Sequence, residues 1–134
     1  MVELSKIIDN VHRCNFSEIE HFNGRAPANQ SHIYEGKTPI YWFMLEDDGY
    51  VVGCYGLLPV GKEVRLRGWF VDEKYRKQGV GYELVESAII EATKLGFKTF
   101  EVKTSQKNLM DKLNIPATGR TYSTFGGAQY RLEL

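Results

Sequence analysis

The sequence predicts an α/β fold of the α+β type: a mixed, mostly antiparallel sheet flanked by helices. Three observations predict it. Between residues 40 and 71, aromatic and aliphatic residues come in short runs separated by tight-turn signals, as in a meander of hairpins. One long stretch, from Val80 to Leu95, carries apolar residues at helical spacing and lies between two strand-like runs. Residues 118–134 return to short extended runs on either side of Gly126-Gly127.

Leu4, Ile7, Ile8 and Val11 recur at helical spacing, so an amphipathic helix is expected over residues 3–13. A second short helix is expected from Ser17, as its cap, to Phe22. Residues 23–38 are polar and contain Gly24, Pro27 and Gly36, which reads as a loop. Ile40 to Glu46 and Tyr50 to Leu58 are strand-like, and Asp47-Asp48-Gly49 joins them as a hairpin turn. Gly53 and Gly56 within the second run point to a bulge or a close backbone approach, and Pro59 and Gly61 close it. Glu63 to Val71 is the third strand, followed by a charged loop over 72–79. In the long helix the apolar stripe is Leu84, Val85, Ala88, Ile89, Ala92 and Leu95, with Gly96 as its C-terminal stop. Thr99 to Lys103 is a short strand and Asn108 to Leu113 a short helix stopped before Pro116. Thr118 to Phe125 and Ala128 to Leu134 form the final hairpin.

A length of 134 residues suits a single domain over 1–134 with a sizeable core. Lys plus Arg and Asp plus Glu both total 17, so the chain lacks the basic excess of proteins that bind nucleic acid by bulk electrostatics; a local basic patch is not excluded. Cys14 and Cys54 belong to no CxxC pair and no metal-ligand spacing is visible, so no metal is expected and the thiols read as core or half-buried residues of a reducing compartment. The first ten residues carry Glu3 and Asp9 and lack the apolar core of a signal peptide. No run approaches the roughly 18 apolar residues of a membrane span. The expected compartment is the cytoplasm, with a monomer and a homodimer equally open.

The informative junction is Arg76-Lys77-Gln78-Gly79-Val80-Gly81, where a strand feeds the start of the long helix. The first turn of a helix offers unpaired N–H groups and the positive end of its dipole, and glycine lets a ligand approach the backbone. Arg76 and Lys77 add positive charge, so the junction reads either as an anion site suited to a pyrophosphate or as plain turn geometry. No Gly-Lys-Ser/Thr follows, which excludes a Walker motif, and two glycines do not make a dinucleotide fingerprint. Arg-x-x-Gly-x-Gly here, with Trp69 to Tyr75 ahead of it and the Asp47-Asp48-Gly49 hairpin, resembles motif A and its surroundings in the GNAT (Gcn5-related N-acetyltransferase) superfamily. The resemblance implies an acyltransferase that takes acetyl-CoA, or another acyl-CoA, as co-substrate and passes the acyl group directly to a small-molecule or peptide amine. It implies that backbone groups around Phe70 and Val71 pair with the pantetheine arm. It also implies that N–H groups over Lys77, Gln78, Gly79, Val80, Gly81 and Tyr82, beside Arg76, hold the pyrophosphate. The arm is expected in a cleft where strand 63–71 splays from strand 99–103.

The same comparison exposes departures. The family's Leu-Tyr-x-Lys-Leu-Gly-Phe is echoed by Leu109 to Ile115, but Met110 stands where the acid tyrosine would be, and a thioether donates no proton. Asn114 and Ile115 replace the glycine and phenylalanine, and the usual preceding asparagine has no clear counterpart in Ser105 or Asn108. Tyr122 is the substitute acid, or else a packed strand tyrosine. The family's mid-strand glutamate base has no equivalent in Arg65-Leu66-Arg67-Gly68; Glu63, Asp72 and Glu73 lie at the strand's ends. Alternation puts Arg65, Arg67 and Trp69 on one face and Leu66, Gly68 and Phe70 on the other. The arginines either line a groove for an anionic acceptor or form a salt-bridged face. Glu35, with His32 and Tyr34, is placed at the acceptor border by the resemblance. Two other readings stay open: a CoA-binding or interaction module without catalysis, and an atypical member acting on a nucleobase or other non-protein acceptor.

Overall fold

The computed structural model describes residues 10–20, 39–122 and 127–134. The order of elements is β1 (Val11–Cys14), β2 (Tyr41–Asp47), β3 (Tyr50–Val60), β4 (Glu63–Val71), α1 (Val80–Lys94), β5 (Thr99–Thr104), α2 (Lys107–Lys112), β6 (Ala117–Thr121) and β7 (Ala128–Glu133). The strands form one sheet in the order β1-β2-β3-β4-β5-β7-β6. Every pairing is antiparallel except β4 with β5, the two strands joined through α1. A parallel pair needs a long crossover and α1 supplies it, while the tight turns read from the sequence supply hairpins. At the first of these Asp48 and Gly49 both take positive φ, 52° and 81°, the conformation that matches the twist of the strands it joins.

The helix expected over residues 3–13 falls mostly outside the described residues, but its last turn is a strand. Val11 to Cys14 pair with Leu45 to Trp42. The outer edge of β2 has unpaired backbone groups, and a short segment gains more from joining that ladder than from one terminal helical turn. The helix expected from Ser17 is a single 3-10 turn, Phe16–Glu18, capped by Asn15, whose N–H donates to Glu18 Oε2 at 2.7 Å; Phe22 lies outside the described residues. β3 runs on through Pro59 to Val60, because β2 pairs only as far as Leu57 and a proline is tolerated where one edge is free.

The apolar residues separate onto the two faces of the sheet. Phe43, Tyr55, Leu57, Val64, Leu66, Phe100 and Val102 pack with Val80, Leu84, Val85, Ala88 and Ala92 of α1. Ile19, Trp42, Met44, Cys54 and Phe70 form a smaller cluster on the opposite face. Gly56 faces that cluster: a Cβ there would stand 2.6 Å from Trp42 Cζ3 and 2.8 Å from Ile40 Cγ2. Gly56→Ala is therefore expected to cost about 1–3 kcal/mol through overpacking, read as a lower denaturation midpoint at constant m-value.

The face assignment along β4 needs correction. Cys54 pairs with Phe70 but Gly56 with Arg67, so β4 carries one extra residue opposite Tyr55. Gly68 sits in this bulge at φ 57°, a conformation glycine takes without strain. The bulge reverses the alternation beyond it. Trp69 and Val71 lie against the α1 cluster with Leu66, while Phe70 joins the opposite face with Arg65 and Arg67.

Candidate active site

β4 and β5 pair only from Glu63, Val64 and Arg65 to Thr99, Phe100 and Glu101. Beyond that point the strands part, as the sequence reading expected. The gap opens into a cleft of about 1050 Å³ bounded by Trp69 and Val71 of β4, by Arg76, Lys77 and residues 79–83 of the loop and first turn, and by residues 105–109 and 112 of α2 and its approach; Gln78 is not part of the lining.

The loop that leads into α1 is held by the β2–β3 hairpin. Asp72, 3% exposed, caps the 3-10 turn Glu73–Tyr75 by accepting from Lys74 N at 3.0 Å, and Tyr50 Oη donates to it at 2.9 Å. Its own N–H donates to Val52 O at 2.7 Å. Tyr75 stacks on Tyr50 at 6.1 Å and donates to Asp47 Oδ2 at 3.4 Å. Arg76 turns back rather than reaching freely into the cleft: Nε donates to Val71 O at 3.1 Å, and the guanidinium lies 5.6 Å from the Phe70 ring centroid. Gln78 Nε2 donates to Lys74 O at 3.2 Å. Lys77 and Gly79 take positive φ, 61° and 83°, and this reversal lets α1 begin at Val80 with its first turn on the cleft. The N–H groups of Val80, Gly81 and Tyr82 precede the first internal acceptor of the helix and have no helical partner.

Gly81 has a second reason to be glycine. A Cβ there would meet Trp69 Cζ2 at 3.3 Å and Leu109 Cδ1 at 3.9 Å, so its absence lets the indole tuck beneath the first turn of α1. Trp69 Nε1 is buried without a hydrogen-bond partner among the described residues. Glu83, on the cleft wall, is raised above the usual carboxylate range by burial and then by Glu86.

The face of the sheet opposite α1 carries a chain of charges. Arg65 Nε lies 3.1 Å from Glu63 Oε2 and 2.9 Å from Glu101 Oε2, and Arg131 Nε lies 3.0 Å from Glu63 Oε1. Glu101 is fully buried. Among the described residues neither of its oxygens accepts a hydrogen bond, so Arg65 holds it by charge rather than by a directed hydrogen bond. Of the two readings of the arginine pair, the salt-bridged one describes Arg65. Arg67 is different: its contact is Nη1 to Leu66 O at 3.0 Å. Tyr122 lies outside the cleft lining; its N–H donates to Gly127 O at 2.8 Å, and the Lys103 ammonium stands 4.8 Å from its ring centroid. Met110 is fully buried in the core. Glu35, His32 and Tyr34 lie outside the described residues.

Sequence reasoning missed Trp69 as a wall of the cleft, Lys107 and Lys112 on its α2 side, and Glu101. A signal for Glu101 existed: an acid between two apolar residues, Phe100 and Val102, in a short strand that follows the long helix. Neither cysteine forms a disulfide. Cys54 is buried and donates to Gly68 O at 3.4 Å, and burial, then Glu18, pushes the Cys14 thiol up to about 12, so neither is an activated nucleophile. No group of metal-binding side chains occurs among the described residues, and no described helix is long and apolar enough to cross a membrane.

The acetyltransferase (GNAT) family model matches residues 6–111. The chain belongs to this family. No curated protein matches it in sequence. Among solved structures, the ribosomal-protein-S18-alanine N-acetyltransferase from Escherichia coli aligns with a TM-score of 0.72 at 23% identity, covering 92% of each chain. Rv2747 from Mycobacterium tuberculosis, in complex with CoA and NLQ, aligns with a TM-score of 0.75 at 15% identity over 92% of this chain and 98% of that one. A GNAT family acetyltransferase from Elizabethkingia anophelis with acetyl-CoA bound gives 0.70 at 17% identity over 94% and 99%. These likenesses show the shared fold. The α+β architecture is thus the GNAT one, with a mostly antiparallel sheet.

Proposed function

We propose that residues 1–134 act as one domain that transfers an acyl group, acetyl first, from acyl-CoA to an amine acceptor. The observation that carries this is the parting of β4 from β5 beside the open first turn of α1. The cleft is lined by Arg76, Lys77, Lys107 and Lys112 against Glu83, a charge balance that suits an anionic ligand such as CoA. The N–H groups of Val80, Gly81 and Tyr82, with Lys77, suit the pyrophosphate, and the side of β4 that β5 leaves beyond Arg65, toward Phe70 and Val71, suits the amides of the pantetheine arm. CoA-bound relatives of the same fold support the choice of ligand.

In the proposed reaction the amine nitrogen attacks the thioester carbonyl carbon, the C–S bond breaks, and one proton passes from the nitrogen to the departing thiolate. The protein contributes orientation and a backbone N–H near Val71 for the carbonyl oxygen. Tyr122 is the proposed proton donor, since Met110 is sealed in the core and has no proton to give. Met110 also favours a second reading, a CoA-binding module without turnover.

Calorimetry with CoA and thiol release from acetyl-CoA across an amine panel test the proposal. Saturable binding with acceptor-dependent thiol release is the expected result; binding without release selects the second reading, and no binding overturns both. Tyr122→Phe is expected to lower kcat by at least about tenfold while leaving CoA affinity unchanged. An unaltered kcat would remove Tyr122 from the reaction.

A further inference from the structure

We infer that the acceptor is an amine that also bears a carboxylate, held between Arg67 and Lys103 where β4 and β5 part, on the face of the sheet opposite α1. The inference rests on the acyl-CoA reading above and names the acceptor class for the same site.

Val64 and Leu66 of β4, and Phe100 and Val102 of β5, pack under α1, so Arg65, Arg67, Glu101 and Lys103 face the other side of the sheet. Arg65 and Glu101 are the last paired positions before the strands part. Arg67 and Lys103 are the next residues outward on that face, one on each diverging strand. Glu63 and Glu101 of this face are already engaged: Glu63 by Arg65 and Arg131, Glu101 by Arg65. Arg67 and Lys103 have no carboxylate partner among the described residues; one touches its neighbour's carbonyl and the other a tyrosine ring. Lys103 is exposed and Arg67 half-buried.

Two cations on either side of the gap between the strands, beside a pair that is already neutral, select an anion. The overall charge of zero argues against a polyanion such as nucleic acid. Arg67 suits a planar carboxylate, and Lys103 adds a point charge from the opposite strand. An acceptor gripped there by its carboxylate can turn its amine toward a thioester lying in the gap. A free amino acid and the acidic side chain of a peptide offer the same chemistry.

The test compares thiol release from acetyl-CoA with three sets of acceptors: free amino acids, their carboxamides, and amidated peptides beginning with an acidic residue. In the unmodified protein the best carboxylate-bearing acceptor should exceed its neutral amide in kcat/KM by roughly ten- to a hundredfold, the range of a charge-assisted contact. Either the amino-acid arm or the peptide arm carrying that preference supports the proposal and identifies the source of the carboxylate. Arg67→Gln and Lys103→Gln should each bring the ratio to within about threefold by raising the acceptor KM, with CoA affinity intact, because both side chains point away from the core. Equal rates for amide and acid, or a ratio that survives both substitutions, would overturn the inference. So would the failure of every carboxylate-bearing acceptor in a protein that binds acetyl-CoA. Failure to bind acetyl-CoA would sink the underlying reading instead.

Discussion

Arg65→Met should destabilise the protein by about 1–3 kcal/mol at neutral pH, because it leaves a buried carboxylate without its cation while water, which already reaches the third-exposed arginine, screens part of the loss. Glu101 is fully buried in the middle of the sheet, and Arg65, 2.9 Å away, is its charged neighbour among the described residues. Arg131 offers no relief, because it is turned to Glu63. The methionine keeps the aliphatic bulk of the arginine stem, so the loss reports charge rather than volume. Adding Glu101→Gln to Arg65→Met should restore more than half of the lost stability, since a neutral amide no longer needs a cation. Urea denaturation of the single and double variants measures both. A double variant no more stable than Arg65→Met would mean that the pair is not what holds this part of the sheet. The strength of the first effect also explains why Arg65 is a poor choice for holding an acceptor: an acceptor that drew it away would leave Glu101 uncompensated.

Much of this arrangement is visible in the sequence, and the remainder is hidden for physical reasons. The limits of β4, the start of α1 at Val80 and the hairpin at Asp48-Gly49 follow from local signals, because glycine, charge runs and periodicity act within a few residues. The parting of β4 from β5 follows from the family resemblance. Val11 to Cys14 mislead because four residues carry too little pattern to separate a last helical turn from an edge strand, and the edge of β2 decides. The bulge at Gly68 is a matter of pairing register. A lone glycine in a strand signals irregularity without saying on which strand the extra residue falls, and one residue of slip exchanges the faces of Trp69 and Phe70. The Arg65–Glu101 pair and the Trp69 wall are contacts between distant segments, which spacing along one chain does not reveal.

Gly81→Glu should weaken CoA binding by at least about a hundredfold, the largest functional effect expected of any substitution in the cleft. The glutamate places a negative charge at the second residue of α1, where the helix N-terminus and Lys77 favour an anion, so it occupies the position proposed for the pyrophosphate and repels it. Its Cβ also approaches the Trp69 ring at 3.3 Å, so the variant combines a charge effect with a packing effect. Gly81→Ala separates them. Alanine brings the same Cβ without the charge, and the strain against Trp69 is offset by alanine's better helix propensity, leaving stability within about 1 kcal/mol and CoA affinity within about threefold. Calorimetry with CoA, beside thermal melts of both variants, reads the two effects apart. If the glutamate variant keeps its fold and binds CoA normally, the first turn of α1 is not the phosphate site. If alanine weakens binding as much as glutamate does, the helix start serves CoA by its fit to Trp69 and not by its charge.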